Sequence, residues 1–225
     1  VVTSGRGGAL DDRPLLTDHP AAVRASLVLW ALGGFLFIAL AIPALADVVQ
    51  TVDDWVHELV VDLESDFIVA AAKAFDLIGS SWVTAPIIVI VGVVLIALRR
   101  WHGLAFWVLA MVASQLLIGP IKNLYERERP PMSLVETTSF SFPSGHAVAG
   151  AAIAVSLVIV FVPAGPKRRN LEMLAAAFAV LMALSRVYLR AHWLSDATAG
   201  AALGVAVAIG AAALIHGIDS ATNRE

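Results

Sequence analysis

The chain has 225 residues, of which 59% are apolar and 15% charged, with a formal net charge of −3. Soluble domains run nearer half apolar and a quarter charged, so this balance points to a bilayer, and the small negative charge gives no footprint for nucleic acid. The absence of cysteine excludes a disulfide framework, thiolate metal sites and a cysteine nucleophile.

In chain order, Val1 to Pro20 is polar and acidic, without the short apolar core and cleavage site of a secretory signal. Residues 1–20 are expected to be a loose part of a cytoplasmic N-terminal tail, 1–24, and the first apolar segment to stay in place as an anchor. Six apolar segments follow, at about Ala25–Ala46, Trp82–Leu98, Gly103–Gly119, Ala147–Val162, Met173–Leu189 and Ala197–Ile215. Several are near the short end of the roughly 17–25 residues that cross a bilayer. Pro43 and Pro86 fall inside or near the ends of spans, where membrane helices tolerate proline. A soluble bundle with buried core helices is the alternative, and six such runs in 225 residues argue against it. The expected fold is all-α: a six-span transmembrane bundle over 25–216, followed by a short tail, 217–225.

Basic residues set the expected orientation. With both termini in the cytoplasm, Arg6, Arg13, Arg24, Arg99, Arg100, Lys167, Arg168, Arg169 and Arg224 fall inside. Lys73, Lys122, Arg127, Arg129, Arg186 and Arg190 then fall outside. The segment 47–79, between the first two spans, sets Lys73 against eight acids from Asp47 to Asp76 and reads as outer. Within it Val48, Val52, Trp55, Val56, Leu59, Val60, Leu63 and Phe67 recur at helical spacing, with Asp53, Asp54, Glu58 and Asp62 between them. This is an amphipathic helix for the membrane surface or a groove of the bundle. It would either shape a lipid entrance or serve as an outer cap, and His57 within it reads as a surface histidine.

Three polar clusters fall at the outer ends of spans. In "KNLYERERPP", Lys122, Glu126 and Arg129 are spaced for one helical face, which Pro130 and Pro131 terminate; a snorkelling basic helix end is the plainer account. In Pro143-Ser144-Gly145-His146, Ser144 suits the N-cap of the fourth span, Gly145 permits close approach of a ligand, and free amides at a helix start suit an anion. A simple cap with an interfacial histidine explains that cluster equally well. In "SRVYLRAHWLSDATAG", His192 and Asp196 are spaced to face each other on a helix, leaving one imidazole nitrogen as base or nucleophile. A polar turn in which Arg186 or Arg190 pairs with Asp196 is the alternative. Together the clusters supply cations, a helix N-terminus and two histidines, the inventory of phosphoryl transfer. No carboxylate cluster suited to Mg²⁺ accompanies them. The loop Met132–Ser141 reads either as an entry gate, with Phe140 and Phe142 as interfacial anchors, or as a plain connection.

At these residues the chain resembles the type-2 phosphatidic acid phosphatase superfamily, which includes bacterial lipid phosphatases and vanadium haloperoxidases. The family pattern K-x6-R-P, P-S-G-H and S-R-x5-H-x3-D is matched at Lys122 to Arg129-Pro130, at Pro143 to His146, and at Ser185-Arg186 to His192 and Asp196. The resemblance implies that His192 attacks phosphorus to form a phosphohistidine, that Asp196 orients it, and that His146 protonates the leaving oxygen and then activates water. It implies phosphate binding by Lys122, Arg129, Ser144, the Gly145 amide and Arg186, with Ser185 structural and with no metal or other cofactor. The implied protein is a lipid phosphatase of a bacterial cytoplasmic membrane, acting at the outer leaflet. Its partners would be the bilayer and a lipid phosphate, with no nucleic acid and no obligatory protein partner. Polyprenyl diphosphate, phosphatidylglycerol phosphate and phosphatidic acid are the candidate substrates, and an outer site leans toward polyprenyl carriers. Phosphate transfer to a sugar or lipid acceptor, and non-catalytic lipid binding or flipping, are the competing functions. Haloperoxidases share the motifs but are soluble.

Overall fold

The computed structural model describes residues 15–16, 19–163 and 165–222. Its regular elements among these residues are eight α-helices: α1 (His19–Ala41), α2 (Pro43–Asp62), α3 (Asp66–Gly79), α4 (Ser81–Ala97), α5 (Trp101–Tyr125), α6 (Gly145–Phe161), α7 (Pro166–Tyr188) and α8 (Leu194–Thr222).

Each of the six apolar segments is helical. Four helices are long and apolar enough to cross a membrane: Pro20–Ala41, Trp101–Tyr125, Pro166–Tyr188 and Leu194–Ile218. α3 and α4 pass the same test only as a pair, bent by 44°, giving five spans at most, and α6 is a shorter apolar helix. The first segment ends earlier than its composition suggests. Ile42 is extended and Pro43 opens α2, because the residue before proline resists the helical conformation while proline itself suits a first turn.

The segment 47–79, expected as one amphipathic helix, is divided between α2 and α3 at a turn over residues 63–65. Tyr188 at the end of α7 clasps that turn: its hydroxyl donates to the Leu63 carbonyl (2.8 Å) and accepts from the Ser65 amide (2.9 Å). Part of the apolar stripe of α2 faces outward, with Val48, Val52, Trp55 and Leu59 exposed, whereas Asp53 is buried. Val56 and Val60 pack against Ala147, Ala183, Val187 and Ala197, and Asp54, Glu58 and Asp62 are exposed. His57 is half-buried, with its ring 5.8 Å from that of Trp193. At the chain start, Leu15 and Leu16 are buried and the Leu15 carbonyl accepts from Arg168 (2.6 Å); this part of the expected tail is packed, and α1 is already helical from His19. Val1–Pro14 lies outside the described residues.

α8 is the central helix and packs against α1, α5, α6 and α7. The buried core of α6 and α8 is dominated by alanine, while Trp82, Phe67 and Leu124 point outward. Small residues bring the backbones of membrane helices into direct contact, where dispersion replaces the hydrophobic effect as the cohesive force. Gly200 and Gly204, one turn apart, mark the closest approach. A Cβ on Gly204 would lie 2.3 Å from the Val148 carbonyl oxygen and 2.9 Å from the Ala151 Cβ. A Cβ on Gly200 would lie 2.7 Å from the Ser144 carbonyl oxygen. Side-chain bonds lock the other helices together: Ser26 to the Ala206 carbonyl (2.9 Å), Tyr125 to the Phe37 carbonyl (2.7 Å) and Trp107 to the Ile88 carbonyl (3.1 Å).

Gly204→Ala is expected to destabilise the purified protein by about 1–3 kcal/mol through overpacking. Gly92→Ala, whose Cβ meets nothing within 4 Å, should leave thermal unfolding in detergent unchanged or slightly raised.

Candidate active site

The ends of α5 and α7 and the starts of α6 and α8 bring the three sequence clusters to one end of the bundle. Ser144, in extended conformation, caps α6 and accepts from the Ala147 amide (3.5 Å). Gly145 and His146 therefore occupy the first turn, where backbone amides have no partner within the helix. The Ser144 amide donates to the Asp196 carbonyl (3.1 Å), which stitches the two helix starts together.

His192 precedes α8 rather than lying on it. Asp196, in the first turn of α8, reaches back to accept from the Trp193 amide (2.9 Å), as the acid of a capping box does. That reach brings Asp196 Oδ2 to 3.7 Å from His192 Nδ1, a through-space contact longer than a hydrogen bond. Ser141 lies between them: its hydroxyl donates to Asp196 Oδ2 and sits 3.5 Å from His192 Nδ1. The other imidazole nitrogen, Nε2, is 3.2 Å from Arg129 Nη1. Burial, opposed by Asp196 and aided by Arg129 and Arg186, pushes the His192 pKa down to about 4. The ring is consequently uncharged at neutral pH and carries a lone pair.

The first cluster differs from expectation. α5 stops at Tyr125, and Glu126 takes a left-handed conformation (φ 43°), so Glu126 and Arg129 do not continue the helical face of Lys122. Pro130 and Pro131 have no amides to offer the carbonyls of residues 126 and 127, which removes the bonds a further turn would need. Arg129 instead reaches the site from an extended strap. Its Nε donates to the Ser139 carbonyl (2.6 Å) and its Nη2 to the Phe140 carbonyl (3.2 Å), which also accepts from Lys122. The loop 132–141 is thereby fastened to two of the motif cations. Phe140 is exposed, but Phe142 is not an interfacial anchor: it is fully buried, 4.8 Å from the Phe37 ring and 5.0 Å from that of Tyr125.

Arg186 is buried at the end of α7 and donates to Asp76 of α3, and His146 Nε2 is 3.3 Å from the same carboxylate oxygen. Neither arginine considered as a partner of Asp196 fills that place, since Arg190 pairs with Glu64 (2.6 Å). Asp196 pairs with Arg127 (2.6 Å). Arg127 also donates to Ser195 Oγ (2.6 Å), Gln50 (2.7 Å) and Asp53 (2.7 Å). Asp53 in turn accepts from the Ser195 amide (2.9 Å) and hydroxyl (2.5 Å), so a carboxylate from α2 sits at the positive N-terminal end of α8.

A family model described as the PAP2 superfamily matches residues 103–218. The chain belongs to the PAP2 superfamily. Phosphatidylglycerophosphatase B of Bacillus subtilis (strain 168) is 31% identical over 196 residues, covering 84% of this chain and 93% of that protein. The crystal structure of a transmembrane PAP2 type phosphatidylglycerolphosphate phosphatase from Bacillus subtilis superposes with a TM-score of 0.72, at 29% identity, over 87% of this chain and 96% of that one. The crystal structure of Aquifex aeolicus LpxE shares the fold, with a TM-score of 0.57 at 20% identity over 69% of this chain and 91% of that chain.

All eight site residues expected from the sequence lie in the PAP2-matched region, whereas Asp53 and Asp76 precede it. In the sequence these two count only as acids of an outer segment. For Asp76 a signal exists: it is a carboxylate between Phe75 and Leu77 near the end of a mostly apolar helix whose other acid, Asp66, lies in the first turn. Asp53 has no comparable signal, because it alternates with apolar residues as any solvated acid would.

Arg127→Ala leaves Asp53 and Asp196 without their common cation. A loss of about 3–5 kcal/mol is expected from breaking a buried pair, read as a fall in thermal stability. The double variant Arg127→Ala, Asp53→Asn should lose less than the sum of the two single changes.

Proposed function

We propose that this protein hydrolyses a lipid phosphate through a phosphohistidine on His192. It is a PAP2-type membrane lipid phosphatase. The observation that carries the finer reading is the setting of His192: uncharged, with Nδ1 toward Ser141 and Asp196 and Nε2 beside the Arg129 guanidinium. A nucleophile, its orienting carboxylate and a cation for the transferring phosphoryl group are in one line of contacts.

In the first step the Nε2 lone pair of His192 attacks phosphorus. The bond from phosphorus to the lipid oxygen breaks, and that oxygen takes a proton from His146. In the second step water attacks the phosphorus, giving its proton to His146, and the P–N bond breaks to release inorganic phosphate. Lys122, Arg129 and Arg186 balance the charge of the phosphoryl oxygens, and Gly145 offers its amide at the α6 N-terminus. Ser144 holds the turn as its cap and faces the same oxygens. No metal takes part in this scheme.

The chain is read as crossing the membrane six times, with α6 as a short span and the α3–α4 pair as one bent span. Both termini are cytoplasmic, and the basic turns at Arg99-Arg100 and Lys167–Arg169 mark the inner face. The site then opens at the outer leaflet, where the outward apolar face of α2 lies along the entrance. Phosphatidylglycerol phosphate is the favoured substrate, because relatives aligned over most of the chain are named for it.

His192→Ala is expected to lower phosphate release in detergent by roughly a thousandfold or more, with the thermal transition retained; undiminished turnover would remove the nucleophile assignment. Lys122→Ala should reduce turnover by about ten- to a thousandfold. A panel of phosphatidylglycerol phosphate, phosphatidic acid and polyprenyl diphosphate, scored by kcat/KM, ranks the substrates. Adding sugar or lipid acceptors to the same assay reports any transfer that competes with water.

A further inference from the structure

One part-buried contact of the site has no role in that scheme, and it comes from α3. Asp76 Oδ1 accepts from Arg186 and lies 3.3 Å from His146 Nε2, a buried atom that makes no hydrogen bond among the described residues. Three residues further along α3, Gly79 presents bare backbone to the same imidazole. A Cβ at Gly79 would come within 2.7 Å of His146 Cδ2 and 3.0 Å of Met182 Sδ. The ring therefore turns its Cδ2–Nε2 edge toward α3. Nδ1 lies on the opposite edge of a five-membered imidazole, directed away from that helix.

We propose that Asp76 is a positioning residue for His146, forming a second carboxylate–imidazole pair in the site. This inference rests on the phosphohistidine reading, in which His146 is the general acid. Asp76 accepts the Nε2 proton and so fixes the ring, leaving Nδ1 to carry the proton that passes to the lipid oxygen. The need is electrostatic. Arg129 and Arg186 both act on His146 across the site, and fixed cations repel an imidazolium. A carboxylate on the far edge of the ring offsets that repulsion at the moment the acid must be charged. Arg186 serves this arrangement as well as the substrate: one of its nitrogens holds Asp76, while its buried Nε has no hydrogen-bond partner among the described residues and remains as a donor for a phosphate oxygen. Both Asp76 and Gly79 precede the PAP2-matched residues 103–218, so the wall behind the acid is supplied by the chain's own N-terminal half.

A general acid matters only when the leaving oxygen needs a proton, and this separates the proposal from a merely structural role. The full-length protein in detergent is assayed with phosphatidic acid, whose diacylglycerol alkoxide leaves poorly, and with p-nitrophenyl phosphate, whose phenolate leaves unaided. In Asp76→Asn, kcat/KM for phosphatidic acid should fall at least about tenfold further than kcat/KM for p-nitrophenyl phosphate, a fraction of the 10²–10⁴ that general acids supply. Asp76→Glu should recover part of the difference. An equal loss on both substrates would overturn the proposal, placing Asp76 with Arg186 in phosphate binding, and no loss on either would overturn it too. If Asp76→Asn does not fold, Gly79→Ala displaces the ring from the same wall and is read by the same ratio: a selective loss on phosphatidic acid supports the proposal, and a flat ratio overturns it. His192→Ala run in parallel separates the levels: retained turnover there removes the phosphohistidine reading, whereas an inactive His192→Ala with a flat substrate ratio removes the role of Asp76 alone.

Discussion

The contact on which the site depends is the approach of α6 to α8 at Gly200 and Gly204. No side chain fits between Gly204 and the Val148 carbonyl, or between Gly200 and the Ser144 carbonyl. The Ser144 residue at that contact is the cap of α6 and the neighbour of Gly145 and His146. The amide of Ser144 is bonded to the carbonyl of Asp196. Backbone packing thus fixes the turn bearing one histidine against the helix start bearing the carboxylate of the other. In a bilayer no hydrophobic force drives such helices together. Close packing must supply both cohesion and register, and small residues are what allow it.

The second constraint is charge. Lys122, Arg186, Arg190, Asp53 and Asp196 are all buried in a protein whose exterior is apolar, and an unpaired buried charge is costly. The arrangement answers with distinct pairings. Arg127 serves Asp53 and Asp196, Arg190 takes Glu64, and Arg186 takes Asp76. Lys122 and Arg129 are given carbonyl oxygens of the loop 139–140. Of the three motif cations, the two left with neutral acceptors are the most available to an anion, while Arg127 and Arg190, with structural duties, have carboxylates of their own.

How much of this is legible in the sequence follows from which residues act locally. The motif residues sit at fixed spacings near helix ends, so Ser144 as a cap can be read directly, whereas His192 approaches Asp196 from the turn before α8 and not along one helical face. The helical runs are equally plain, because apolar length is the dominant signal in a membrane chain. The break at Pro43 shortens the first run, and the left-handed Glu126 ends α5 before the face that spacing alone would continue. Phe142 has the sequence setting of an interfacial aromatic, but tertiary packing buries it beside Phe37 and Tyr125. The pairings of Asp53, Asp76 and Arg127 are hidden for a different reason. Each acts across the bundle, on residues 68 to 142 positions away, and no local pattern encodes that pairing.

The same distinction explains why the amphipathic pattern of α2 does not by itself say which face meets the protein. For a helix at a water surface, Asp53 would face solvent and Val52 and Trp55 the protein. Here Asp53 is buried at the α8 N-terminus, Val52 and Trp55 are exposed, and Val56 and Val60 pack against the bundle. A carboxylate in that position gains the two Ser195 donors, the Arg127 guanidinium and the favourable end of a helix dipole. α2 is therefore held against the bundle both by these polar contacts and by Val56 and Val60, while the rest of its apolar stripe is exposed. A helix held at once by a buried carboxylate and by two valines is tied to the support of His192 through Arg127 and Asp196.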